Sequence, residues 1–333
     1  GRARVLMARR TVTVTAGAKV NPRLVIHGRR ADGFHELTTL MLGLDLRDEV
    51  TVSLVPGAAQ ISVRSTGPFA TPDIVADETN LAVRGVRAAL DGLGQPETAL
   101  HITLHKGIPS RAGLGGGSAD AAAAALGTLE LLAPDRPHSV DTAVTRALGH
   151  IGADCAFFFA ARQHGAARSS GRGEHVEPIA ATPPWHVALL TPEIDCATPK
   201  VYAALDLAVS SPEELRASAR TSNDGSQSAA LWSAAAADAR ALLRNDLEEP
   251  AERAFPELRS WRALFQHLGL DHFRLAGSGS SFFGLFDSEA EAESVLDDVR
   301  AEAAARHLGL RHAAVHRPAG DQLLALLDAP SIP

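Results

Sequence analysis

The residues with the clearest chemistry lie in one run, Ile108-Pro-Ser-Arg-Ala-Gly-Leu-Gly-Gly-Gly-Ser118, which continues as an alanine-rich, helix-forming segment to Leu132. Glycine lets the backbone approach a ligand with no Cβ in the way. A helix start behind it presents unpaired N–H groups and the positive end of the helix dipole. Together they form an anion cradle suited to the phosphates of a nucleotide. The cradle is not a Walker loop, which needs Lys-Ser or Lys-Thr after its last glycine, because Gly117 is followed directly by Ser118. Nor is it the dinucleotide fingerprint, whose third glycine, counted from Gly113, would fall at Ser118. The Ser118 hydroxyl suits a helix N-cap, a phosphate contact or a magnesium ligand. Lys106, just ahead of the loop, is placed to reach adenine or phosphate, or to end a strand in solvent.

Elements that position such a loop are readable around it. Thr11–Thr15 alternates as a half-buried strand does, and strands are expected at Asn21–His27, Leu40–Leu46, Glu49–Val55 and His101–His105. Helical spacing covers Thr79–Asp91, with Thr79 or Asn80 as cap, and Asp141–Leu148. Gly165–Gly173 reads as a glycine- and arginine-rich turn region. Beyond it come strands at Trp185–Leu190, Phe273–Ala276, Ser281–Phe286 and near His312–Arg317, and an acidic helix over Ser288–Ala305 that reads as a solvated face. The stretch Ser210–Ala237 is rich in Ser and Ala, and no function is assigned to it. The order is α+β rather than a regular βαβ array, and 333 residues are enough for two domains, expected at 11–170 and 171–320.

Composition narrows the class. An apolar share of 45% with 21% charged residues is that of a globular protein, and a net charge of −7 argues against general nucleic-acid or anionic-membrane binding. Two cysteines, Cys155 and Cys196, make no disulfide framework and no zinc motif. No apolar run approaches the roughly 20 residues of a membrane span, and Gly1–Arg10 does not lead into a signal sequence. A cytoplasmic location is expected, as monomer or homodimer.

Six blocks in order carry a resemblance: Ala18-Lys-Val-Asn21, Gly28-Arg-Arg-Ala-Asp-Gly-Phe-His-Glu-Leu37, Gly113–Asp120, Gly152-Ala-Asp154, Asn245-Asp-Leu-Glu248 and Leu275-Ala-Gly-Ser-Gly279. They resemble the GHMP small-molecule kinases over nearly the whole chain, from about Thr11 to about Arg317. The glycine-serine loop is common to that superfamily. The segment Arg29–Leu37 is more selective, since it resembles the cytidine-recognition segment of the member that serves the non-mevalonate isoprenoid route.

The resemblance implies an N-terminal domain like ribosomal protein S5 domain 2, a ferredoxin-like C-terminal domain, and ATP with Mg²⁺ as cofactors. The implied substrate is a small alcohol carrying a cytidine diphosphate. Lys19 and Asp154 then match the catalytic pair. The cation would offset charge at the transferring phosphoryl group, and the carboxylate would accept the hydroxyl proton late or align the hydroxyl. ATP would be held by Lys106, Pro109, Gly113, Leu114, Gly115, Gly116, Gly117 and Ser118. Substrate would meet Asn21, Phe34, His35, Thr198, Gly277, Ser278 and Gly279, with the Phe34 ring stacking on a pyrimidine and His35 bonding its edge. Ser118 or Asp154 would touch the metal. Within the family, homoserine or mevalonate kinases are alternatives, but their substrates carry no cytosine. A silent nucleotide-binding relative has no reason to keep both Lys19 and Asp154. Pro22 and Arg23, where the family has an apolar pair, predict that the strand after Lys19 is distorted or lies at an edge.

Overall fold

Two long strands form the spine of the molecule. The computed structural model describes residues 10–56, 60–70, 77–180, 183–208 and 230–327, so residues 209–229 of the Ser/Ala-rich stretch lie outside the described residues. β1 (Thr11–Arg29) pairs antiparallel with β2 (His35–Leu54), and each merges two runs that the sequence separates. The middle of both strands is buried on both faces, which erases the period-two alternation that marks a strand with one face in water. Register shifts fall between Gly17 and Ala18, between Val20 and Arg23, and between Ile26 and Gly28. The second is the distortion expected at Pro22, which has no N–H to give to a ladder.

Around this pair an eight-stranded sheet runs in the order β12-β1-β2-β4-β3, with β5 and β6 branching from β2, and β8 beside β1. Its other strands are β3 (Ile61–Thr66), β4 (Leu100–His105), β5 (Gly165–Gly171), β6 (His175–Ala180), β8 (Arg244–Asn245) and β12 (Leu324–Leu326). The turn region expected at Gly165–Gly173 is therefore mostly strand. Its glycines have positive φ at the strand's two ends, 72° at Gly165 and 77° at Gly171, while the residues between pair with β2. This sheet extends past residue 170 and takes its last strand from near the end of the described chain.

Helices α1 (Leu81–Leu93), α2 (Gly116–Leu132), α3 (His138–Ile151) and α4 (Ala153–Ala160) pack with this sheet. Asn80 caps α1, its side chain accepting from the Ala82 N–H. α2 lies centrally, with Ala121–Ala125 wholly buried. Small side chains there let neighbouring backbones come close.

A second, antiparallel sheet runs β11-β7-β10-β9, formed by β7 (His186–Pro192), β9 (Arg274–Leu275), β10 (Phe282–Phe286) and β11 (Leu310–His316). It carries α5 (Thr198–Ala208), α6 (Ala236–Arg240), α7 (Glu248–Ala254), α8 (Leu258–His267) and α9 (Glu289–Ala305). The architecture is α+β. An apolar cluster containing Val20, Leu40 and Leu42 of the first sheet with Val187, Leu189, Phe283 and Leu285 of the second joins the two. Among the described residues no helix is long and apolar enough to cross a membrane.

Candidate active site

A cavity of about 1220 Å³ lies between the two sheets, large enough for two ligands to meet. Lys19 projects into it from the short segment of β1 between two register shifts, where bulges re-aim side chains. Its N–H donates to the Leu114 carbonyl at 2.9 Å, which ties the strand to the glycine loop. The side chain is buried, with Nζ 2.8 Å from Asn21 Oδ1 and 3.4 Å from Asp154 Oδ2. Asn21 sits inside the second bulge and donates through Nδ2 to Thr39 Oγ1, which in turn donates to the Arg23 carbonyl. Its amide oxygen is thereby turned toward Lys19. Asp154 occupies the first turn of α4, behind the extended residue Gly152.

Two glycines stand close to Lys19, one at its stem and one at its ammonium. A Cβ on Gly115 would stand 3.0 Å from Lys19 Cγ and from the Phe158 ring, at a φ of 76° that side chains avoid. One on Gly277 would stand 3.1 Å from Lys19 Nζ. Gly115, not Ser118, is the N-cap of α2, and it supplies no side-chain hydrogen bond. The first turn of that 17-residue helix thus keeps its N–H groups for an anion, so the chain's own residues fit a polyphosphate here. Pro109, Gly113, Leu114, Gly116, Gly117 and Ser118 line the same wall. The Ser118 hydroxyl lies beside the Cys155 thiol, which burial pushes up to about 12. Among the described residues no group of three or more His, Cys, Asp or Glu could hold a metal by itself. Such sparse protein ligation is ordinary for magnesium carried on phosphates.

Lys106 is buried rather than solvated at a strand end. It reaches the cavity wall, but its buried ammonium is taken by two buried carboxylates, Asp48 and Asp120. Asp48 also accepts from the N–H groups of Gly107 and Ile108, at 2.7 and 2.8 Å. The trio clamps the root of the loop, leaving a nucleotide to compete with carboxylates for this cation.

Gly277 and Ser278 line the cavity, and Gly279 does not: its Cβ position faces Leu275 and Cys196 behind the wall. The sequence block around Asn245 explains how this turn is held. Asn245 Nδ2 donates to the carbonyls of Leu275 and Gly277, and Glu248 Oε1 accepts from the Leu275 N–H. The Thr198 and Ser278 hydroxyls are 2.8 Å apart.

At the far end, Phe34 is 53% exposed with the Arg172 guanidinium over its ring, 4.6 Å from the centroid. His35 is buried, its Nε2 2.9 Å from Asp206 Oδ1 and its ring 5.1 Å from that of Tyr202. The sequence reading missed Tyr202, Asp206 and Arg172. The signal was present in part: Thr198, Tyr202 and Asp206 recur every four residues, which places them on one face of a helix.

Fold and cavity together define a small-molecule phosphotransferase of the GHMP kinase type. The GHMP kinases N terminal domain matches residues 80–161, and the GHMP kinases C terminal family matches residues 228–305. More particularly, the chain belongs to the 4-diphosphocytidyl-2-C-methyl-D-erythritol kinase family. It is 33% identical to the kinase of that name from Desulfitobacterium hafniense over 87% of this chain and 92% of the relative. It is 36% identical to those of Paracoccus denitrificans (84% and 88%) and Thermus thermophilus (86% and 92%). A crystal structure of 4-(cytidine 5'-diphospho)-2C-methyl-D-erythritol kinase superposes with a TM-score of 0.61 at 32% identity, covering 92% of this chain and 99% of that one. A homoserine kinase from Cytophaga hutchinsonii superposes at 0.72 with 17% identity over 98% and 100%, a likeness of fold alone. The chain is an enzyme, a small-molecule kinase.

Proposed function

We propose that this chain transfers the γ-phosphoryl group of ATP to the 2-hydroxyl of 4-diphosphocytidyl-2-C-methyl-D-erythritol, releasing ADP and the 2-phosphate. The observation that carries this reading is a single cavity with two different ends. Lys19 and Asp154 stand 3.4 Å apart beside the open start of α2, and Phe34 and His35 stand at the other end. ATP phosphates on the first turn of α2 would place the γ-phosphoryl group toward Lys19. A cytidyl group held at Phe34 and His35 would bring the alcohol to the same point.

Phosphoryl transfer through a loose transition state asks mainly for positioning and charge stabilisation. The Lys19 ammonium, steered by Asn21 Oδ1, would donate to the hydroxyl oxygen and to the transferring group as charge spreads over it. Asp154 would hold the hydroxyl by accepting its hydrogen bond, then take the proton as the new O–P bond forms. Magnesium bound with ATP would offset phosphate charge, and Ser118 or Asp154 would touch it. Pro109 and Gly113 to Ser118 would wall the nucleotide. Asn21, Thr198, Gly277 and Ser278 would wall the reacting end of the substrate.

The test is ADP release from Mg-ATP with 4-diphosphocytidyl-2-C-methyl-D-erythritol, run beside homoserine and mevalonate. Turnover with the cytidyl substrate alone supports the proposal, and turnover with either of the others overturns it.

A further inference from the structure

α5 turns one face along the cavity, and its three residues on that face do different work. Thr198 meets Ser278 near Lys19, Tyr202 lies against the His35 ring, and Asp206 meets His35 Nε2. Asp206 is also 3.8 Å from the Arg29 guanidinium, so a cation stands beside the carboxylate. An ionised carboxylate is only an acceptor, so the proton of a neutral His35 must sit on Nε2. Nδ1 is left with a lone pair. Among the described residues it has no hydrogen-bond partner, and His35 lines the cavity.

We propose that Asp206 is a positioning residue that makes His35 read the amino group of cytosine. This rests on the cytidyl reading of the site given above. A ring nitrogen held as an acceptor takes a hydrogen bond from the exocyclic N4–H of cytosine. It meets the O4 of uracil as acceptor against acceptor. Asp206 sets which of the two His35 presents. Buried in the β1–β2 hairpin, the imidazole could otherwise take either tautomer, and with Nδ1 protonated it would favour uracil.

The experiment measures Kd of CMP and of UMP for the full chain and for Asp206→Ala and Asp206→Asn, with an ATP analogue as the folding control. Long-range ¹⁵N–¹H spectra of the histidines report the His35 tautomer. The wild type should prefer CMP by about tenfold or more, the worth of one good hydrogen bond against an unmatched one. Asp206→Ala should bring the two nucleotides to within about threefold, with loss of the fixed Nε2–H signature and unchanged binding of the ATP analogue. Asp206→Asn, able to donate or accept, should do the same. A preference that survives both substitutions overturns the assignment of Asp206 and leaves the cytidyl reading standing. A wild type with no preference for CMP overturns the cytidyl reading itself, and this assignment with it.

Discussion

Lys19 reaches the cavity from a stretch of β1 that is interrupted on either side of it, before Ala18 and after Val20. Gly115 and Gly277 leave room for its stem and its ammonium. If it stabilises charge in transfer, Lys19→Ala should lower kcat by about 10²–10³ while the ATP analogue still binds. Asp154 separates two roles. Asp154→Asn keeps the shape and one acceptor but takes no proton, so general-base work predicts a loss of about 10²–10⁴ in kcat. Near-normal turnover would reduce Asp154 to an aligner. The two cysteines should be silent by contrast. Burial pushes both Cys155 and Cys196 up to about 12, so little thiolate exists at pH 8. Titration with a disulfide reagent should find no fast thiol in the native chain and two after denaturation. A fast native thiol would contradict the packing of Cys155 against Ser118.

At the scale of elements, the loop between β4 and α2 is anchored by charge. Lys106 faces Asp48 and Asp120, and burial pushes Asp120 up to about 7 from its ordinary 3.8, while the two carboxylates hold Lys106 above its usual value. Among the described residues Asp120 Oδ1 has no hydrogen-bond partner, so no donor on that side favours the charged form. Between about pH 4 and 7 the folded chain then keeps a proton that the unfolded chain loses. Stability from this group therefore falls as pH rises through that window, and Asp120→Asn should flatten the slope in urea denaturation. Lys106→Met leaves buried carboxylates uncompensated and should cost about 3–5 kcal/mol. A raised KM for ATP with unchanged stability would instead return Lys106 to the nucleotide. The loop and α2 were legible in sequence because glycines followed by alanines encode their backbone directly. β1 and β2 were legible only in pieces, because strands buried on both faces lose their alternation. β5 was hidden by glycines that serve its ends. Tyr202 and Asp206 were hidden because a residue's helical neighbours do not say which cavity they face, and the carboxylate partners of Lys106 were hidden because they lie 58 and 14 residues away in sequence.

At the scale of the molecule, the last strand of the described residues returns to the first. β12 pairs with β1 through Val14, Thr15 and Ala16, and Leu323, just before it, is wholly buried against Gly17 and Gly43. Those two glycines make a slot in the β1–β2 spine that the leucine side chain fills, close to where the strand bends toward Lys19. The first sheet closes a core of its own with α1–α4, Leu323 among its residues, and the same spine contributes Val20, Leu40 and Leu42 to the apolar cluster shared with the second sheet. Loss of the Leu323 side chain should therefore be felt by the whole fold. Leu323→Ala removes a buried side chain from a rigid slot, at a cost of about 2.7–5 kcal/mol. Far-UV circular dichroism, which weighs all the helices, and the fluorescence of Trp185, Trp232 and Trp261, which lie in the shared and second-sheet clusters, should shift to lower urea together. Two separated transitions, with only the dichroism displaced, would mean that the sheets unfold independently. The cavity between them would then depend on its ligands for its shape.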